Sequence, residues 1–280
     1  NINPKDVPFI KEEVYNEDAF YPGNLAELRD PYILRDFRGQ TIVSYPFQYN
    51  PVQKVLRIYT EMTVRVTSMG QGRINVLDKD ETSAKKMNRD FGSMYSRHFV
   101  NFSDTGNSTQ DRSGYLVDQG NMLVISDPSF LDEMEPFVQW KNRKGIPTEI
   151  FSTSVTGATS TSIKNFVVDY YYDKGLTFLL LVGDAGQIEP IYVNGSASDP
   201  SFGFIEGDDS YAEVIVGRFS GNNSAQISTQ VERTLEYEQN PPVTSHFNNA
   251  LGIASDEGAG IGFMNLDDGD FNDLLWNTFL

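Results

Sequence analysis

The chain has 280 residues, 39% hydrophobic and 12% aromatic, which is enough to build two cores or one large one. Its 39 acidic and 22 basic residues leave a net charge of −17, a field that repels nucleic acid and anionic membranes and attracts cations, calcium among them. There is no cysteine, so these residues hold no disulfide, thiolate metal site or cysteine nucleophile, and no apolar run is long enough to span a bilayer.

The first hundred residues read as β-structure. Residues 55–66 alternate, with Leu56, Ile58, Met62, Val64 and Val66 facing one way and Arg57, Tyr59, Glu61, Thr63 and Arg65 the other. Residues 41–45 form a strand before it, and residues 46–53, with Asn50-Pro51, form the turn between the two. Such hairpins predict an antiparallel β-sandwich over residues 1–102. Residues 79–89 are charged and polar, as in a loop or short helix. Residues 103–115 offer almost nothing to bury and are expected to form an exposed linker.

From residue 116 the pattern changes to β alternating with α. Met122-Leu-Val-Ile125 reads as a strand and residues 130–144 as a helix ended by Gly145, its regular part starting near Glu133 because of Pro136. Thr148-Glu-Ile-Phe151 is the next strand, followed by a helix carrying Ile163, Phe166, Val167, Tyr170 and Tyr171 at helical spacing. Phe178-Leu-Leu-Leu-Val182 is apolar throughout, as in a strand buried on both faces, and it breaks at Gly183-Asp184. A helix through Ile227, Val231 and Leu235 and a strand at residues 250–254 complete a mainly parallel sheet covered on both faces over residues 116–280. The abrupt start at Asn1 and the apolar helical pattern at residues 271–280 are what a fragment would show.

Two constellations carry possible chemistry. Asp184 follows the central strand, and Asp208, Asp209 and Glu213 fill a later turn. Gathered at one edge of the sheet, they would need a cation such as calcium; separately, they are capping and solvated turn residues. Glu257, after the strand at residues 250–254, has the placement to orient a histidine. Asp268 has the charge to pair with a cationic side chain, although acidic residues here also suit the N-terminus of the following helix. His98 and His246 stand beside no nucleophile and read as surface or packing residues. No Walker loop, dinucleotide fingerprint, HExxH or EF-hand loop occurs.

Several ordered phrases resemble the gingipain-type cysteine peptidases. They are Met122-Leu-Val-Ile-Ser126, Phe137-Val-Gln-Trp-Lys-Asn-Arg-Lys-Gly145, Leu179-Leu-Leu-Val-Gly-Asp184, residues 207–220, residues 230–238 and residues 253–258. Upstream, residues 32–39, 46–51 and 59–66 resemble the end of that family's propeptide. The resemblance implies a caspase-like three-layer α/β/α subdomain behind a propeptide, in a secreted or cell-surface bacterial endopeptidase that cuts protein or peptide substrates after arginine or lysine. It implies a cysteine nucleophile and histidine base beyond residue 280, so that these residues alone are inactive. By the same resemblance, Glu257 steadies the histidine, Asp268 binds the basic side chain, and Asp184, Asp209 and Glu213 lie where structural calcium is bound. The propeptide blocks the catalytic domain until it is cut, and Arg112 is the expected cut point. Where the family has Gly-Asp-His this chain has Gly-Asp-Ala185, and residues 259–267 carry apolar side chains in place of polar ones. A sortase-like transpeptidase of the same family and a non-catalytic cell-surface binding module are the alternatives, and the sequence beyond residue 280 separates them.

Overall fold

The computed structural model describes residues 13–67, 69–70, 72–77, 86–102, 116–241, 251–252, 254 and 266–279. In chain order the strands and helices are β1 (Ala26–Leu28), β2 (Tyr32–Leu34), β3 (Phe37–Gly39), β4 (Ile42–Ser44), β5 (Phe47–Asn50), β6 (Val55–Ile58) and β7 (Lys86–Asn88), then α1 (Arg89–His98), β8 (Leu116–Asp118), β9 (Met122–Ser126), α2 (Leu131–Arg143), β10 (Thr148–Ser152), α3 (Thr153–Thr156) and α4 (Ser160–Lys174). They continue as β11 (Phe178–Val182), β12 (Tyr192–Val193), β13 (Ser196–Ala197), β14 (Ile215–Phe219), α5 (Ser224–Gln239) and α6 (Asp268–Phe279).

The chain divides into two compact units. The larger comprises Leu25–Tyr45 and Glu61–Asn240. Its centre is a four-stranded, all-parallel sheet in the order β10-β9-β11-β14. The runs Leu123-Val-Ile125 and Leu179-Leu-Leu-Val182 are buried because helices cover both faces, and their period of two splits them between the layers. Leu123, Ile125, Leu179 and Leu181 pack with Ile163, Val167, Tyr170 and Tyr171 of α4. Val124, Leu180 and Val182 pack with Met134 and Phe137 of α2 and with Ile227 and Val231 of α5. This is the expected three-layer α/β/α arrangement.

Local chemistry sets the helix ends. The Thr159 and Asn223 side chains accept hydrogen bonds from the Ser162 and Gln226 N–H groups and so start α4 and α5, while Gly175, left-handed at φ 71°, stops α4. Helix α2 begins at Leu131, after a 3-10 turn capped by Asp127, two residues before the expected start at Glu133. Pro136 is accommodated inside it at the sixth position, where the helix forgoes one backbone hydrogen bond, to the Asp132 carbonyl. Glu238 of α5 clasps α2. Burial alone would raise its carboxyl, but hydrogen bonds from Lys141, Lys144 and Trp140 outweigh that and bring it down to about 2.

Antiparallel pairs occupy the N-terminal region, as expected, in a pairing that differs from the one read from the sequence. Strand β4 pairs with β1, and β5, which lies within the stretch assigned to a turn, pairs with β6. The turn is the shorter 51–54, where the Asn50 side chain accepts from the Gln53 N–H and Lys54 adopts φ 53°. The strand expected over residues 55–66 ends at Ile58, and Val64 and Val66 are exposed. Of residues 79–89, expected as a loop or short helix, residues 86–88 form strand β7, and helix α1 begins at Arg89. Asn88 caps the helix, and Phe91 and Tyr95, one turn apart, are buried beside Tyr32 and Leu34.

The smaller unit comprises Asn1–Asn24, Pro46–Thr60 and Pro241–Leu280. It holds the β5–β6 hairpin, tied by Asp18 to Asn50 and Gln53, with Arg57 over the Phe20 ring at 3.6 Å. It also holds α6, where the Asp267 Oδ1 accepts from the Asp270 N–H at 2.7 Å. The linker at residues 103–115 lies outside the described residues, as do Ala250 and Ile253; of the strand expected at 250–254, the described Leu251, Gly252 and Ala254 belong to no strand.

Candidate functional site

Strand β9 connects through α2 to β10 on one side, and β10 connects through α4 to β11 on the other. The strand order therefore reverses between β9 and β11, and their carboxyl ends flank the crevice where open α/β sheets hold their sites. Asp184 lies on this edge. The ladder runs one step past the strands here, with the Gly183 N–H donating to the Phe219 carbonyl and the Asp184 N–H to the Gly221 carbonyl, each at 2.9 Å. Gly183 has φ 134°, a conformation that favours glycine, and a Cβ there would press on Gln187 at 2.8 Å. Asp184 Oδ1 accepts from the Ala185 N–H at 2.9 Å and the Ser220 hydroxyl at 3.1 Å, which hold its carboxyl below the usual range.

Arg218 on β14 fixes the loop behind Asp184. It makes a forked pair with Asp199, at 2.7 and 2.6 Å, and donates to the Gly183 and Ile188 carbonyls at 2.9 and 3.1 Å. Sequence reasoning assigned it no role. Its only trace was an arginine within an otherwise apolar strand, a position that demands a partner.

Asp209 and Glu213 lie on the other edge, because they precede β14 whereas Asp184 follows β11 and these strands are parallel. Five residues of strand, roughly 16 Å, separate the two positions. Asp209 accepts from the Ile33 N–H at 2.8 Å, the Asn75 amide at 3.3 Å and the Tyr211 N–H at 2.9 Å. Glu213 is fully buried and accepts from the Ile205, Glu206 and Arg35 N–H groups at 2.7, 3.0 and 3.3 Å. Burial raises its carboxyl despite these three donors, and the charge of Asp209 adds to the rise. The reading that gathers Asp184, Asp209 and Glu213 at one edge of the sheet is therefore corrected: strand direction places Asp184 opposite the other two, and protein N–H groups engage Asp209 and Glu213. Among the described residues no group of three or more acidic or histidine side chains is placed to hold a metal.

Asp268 is exposed at the first turn of α6. Glu257 and Arg112 lie outside the described residues, as does His246. His98 accepts or donates a 2.8 Å hydrogen bond with the Tyr32 hydroxyl and meets Phe99 and Tyr211 edge-on, so it has a packing role. The C-terminal edge thus offers a carboxylate held ionised on a braced loop, and a crevice able to take catalytic groups from elsewhere.

Residues 115–276 match Peptidase family C25, and residues 1–109 match Propeptide C25. Gingipain R2 of Porphyromonas gingivalis is 38% identical over 261 residues, which cover 91% of this chain and 34% of that protein. A solved complex of Porphyromonas gingivalis RgpB pro- and mature domains aligns with a TM-score of 0.51 at 35% identity, covering 56% of this chain and 38% of that one. The Arg specific cysteine proteinase gingipain R (RGPB) aligns with the same TM-score at 34% identity and with the same coverage. The chain spans about a third of the length of Gingipain R2. Among the described residues no helix is long and apolar enough to cross a membrane.

Proposed function

The chain belongs to peptidase family C25, and on that premise we propose that it is the front part of a proenzyme of a secreted or cell-surface cysteine endopeptidase that cuts after arginine or lysine. The observation that carries this reading is the ordered pair of matches, propeptide at residues 1–109 and peptidase at 115–276. Residues 1–102 are then the propeptide domain, 103–115 the joining segment with Arg112 as its cut point, and 116–280 the first catalytic subdomain.

In this reading the full-length protein supplies a thiolate and an imidazole. The thiolate sulfur attacks the scissile carbonyl carbon, the imidazolium gives its proton to the leaving amine, and water then cleaves the thioester, with its proton passing to the imidazole. Glu257 orients that imidazole, Asp268 binds the guanidinium or ammonium of the substrate, and the propeptide keeps the enzyme latent by covering the catalytic domain. The net charge of −17 favours cationic substrates over anionic ones. Full-length protein is expected to hydrolyse peptidyl-arginine or peptidyl-lysine amides and to spare those with glutamine or alanine at the same place, and to lose activity on thiol alkylation. Hydrolysis that survives alkylation, or that prefers the neutral substrates, overturns the proposal.

Structural calcium enters the proposal at Asp184, an exposed carboxylate whose Oδ2 takes no hydrogen bond among the described residues. Chelation is expected to lower the melting temperature of the wild-type chain and to leave that of Asp184→Asn unchanged. A wild-type melting point indifferent to chelator removes calcium from this position.

A further inference from the structure

The hairpin β2–β3 belongs to the propeptide-matching segment, yet within the larger unit it reaches into the peptidase-matching segment. Its two-residue loop is Arg35-Asp36. The tight turns that suit such a loop take positive φ at the first position, the usual place of glycine, asparagine or aspartate. Arg35 occupies it with φ 47°, so the turn itself does not account for the residue.

The arginine side chain does account for it. Only 9% of Arg35 is exposed. Its guanidinium donates to the Leu176 carbonyl at 2.7 Å, to the Glu213 carbonyl, to Thr177 Oγ1 at 3.3 Å and to the Gly175 carbonyl at 3.5 Å. It lies over the Phe91 ring at 4.6 Å and the Tyr171 ring at 5.7 Å. Gly175 ends α4, where the helix dipole favours a cation. The hairpin backbone is held as well, by Asp209 at Ile33 and by Glu213 at Arg35 itself, while Tyr32 stacks on Tyr211 at 4.2 Å. The receiving groups stand at the starts of β11 and β14, on the edge opposite Asp184.

We propose that this pocket is a guanidinium receptor through which the first catalytic subdomain holds its own propeptide, with Arg35 as the ligand. The acceptors are carbonyl and hydroxyl oxygens that converge from several directions, so the site demands the planar fork of arginine; an ammonium has a different donor geometry. The hold lies on the sheet edge away from Asp184 and needs no contact with groups on that edge. This inference rests on the family division at residues 109 and 115 and not on the proposed hydrolysis, and its readout is binding.

The experiment uses the whole chain with a site for a sequence-specific protease inserted between residues 109 and 115 and an N-terminal tag for capture. After cutting, the wild-type halves are expected to co-elute on size exclusion. Arg35→Met should release the partner half at least about thirtyfold faster. Arg35→Lys should release it nearly as fast, and a melting temperature of its uncut form close to wild type shows that the fold persists. If Arg35→Met does not fold, Arg35→Lys decides. Wild-type halves that part at once, or an Arg35→Lys pair that holds like wild type, overturns the proposal.

Discussion

Asp268→Asn in the full-length enzyme is expected to lower kcat/KM for a peptidyl-arginine amide by roughly 30-fold to several thousandfold. Truncating one partner of a desolvated charge pair costs about 2–5 kcal/mol, because the guanidinium is then stripped of water without a counter-charge. The structure makes this substitution interpretable. The Asp270 N–H at the start of α6 is met by Asp267, so the helix does not need Asp268 as its cap. Asparagine keeps the size but replaces one acceptor oxygen with an NH2 donor, so it removes both the charge and the forked acceptance that a guanidinium needs. Steady-state kinetics with arginine, lysine and glutamine substrates, alongside melting curves of both proteins, make the check. An unchanged preference for arginine over glutamine would mean that Asp268 is a surface residue of the helix start.

Arg218→Met is expected to destabilise the chain by about 3 kcal/mol or more. The pair with Asp199 is mostly shielded from solvent, with 12% of the arginine side chain and 26% of the aspartate exposed. Removing one member of such a pair leaves the other charge uncompensated, which costs about 3–5 kcal/mol when burial is complete. The carbonyls of Gly183 and Ile188 lose a donor in the same step, so the loop that follows Asp184 should loosen. Asp199→Asn in the same chain should recover part of the loss, since it removes the stranded charge. Denaturant melts of the single and double variants measure this, and hydrogen exchange at residues 183–188 reports the loop. A cost below about 1 kcal/mol would place the pair among ordinary surface ion pairs.

The parallel sheet was legible in the sequence because Leu179-Leu-Leu-Val182 and Leu123-Val-Ile125 have no polar side to show to water. Helices α4 and α5 were legible because Ile163, Val167 and Tyr170, or Ile227 and Val231, recur at helical spacing beside good caps. Helix α1 was not, since Phe91 and Tyr95 are two apolar positions in an otherwise polar stretch, and their burial depends on partners sixty residues upstream. The β5–β6 hairpin was missed because Phe47 and Tyr49 lie among turn residues, although the local hydrogen bond of Asn50 makes the turn shorter. Composition brought Asp184, Asp209 and Glu213 together, whereas chain direction through β11 and β14 separates them. Arg35 stood within a phrase quoted for its family resemblance, and its role needed the coordinates of four acceptors that no local pattern announces.

The proposed activity requires Glu257 and Asp268 to meet one substrate beside a thiolate. The direct measurement is a crystal structure of the full-length enzyme, freed of its propeptide and trapped with a peptidyl-arginine aldehyde. The predicted result is a cysteine sulfur bonded to the aldehyde carbon, the guanidinium held by the Asp268 carboxylate, and Glu257 hydrogen-bonded to the adjacent histidine. A guanidinium seated away from Asp268, or the two carboxylates on opposite sides of the molecule, would contradict it.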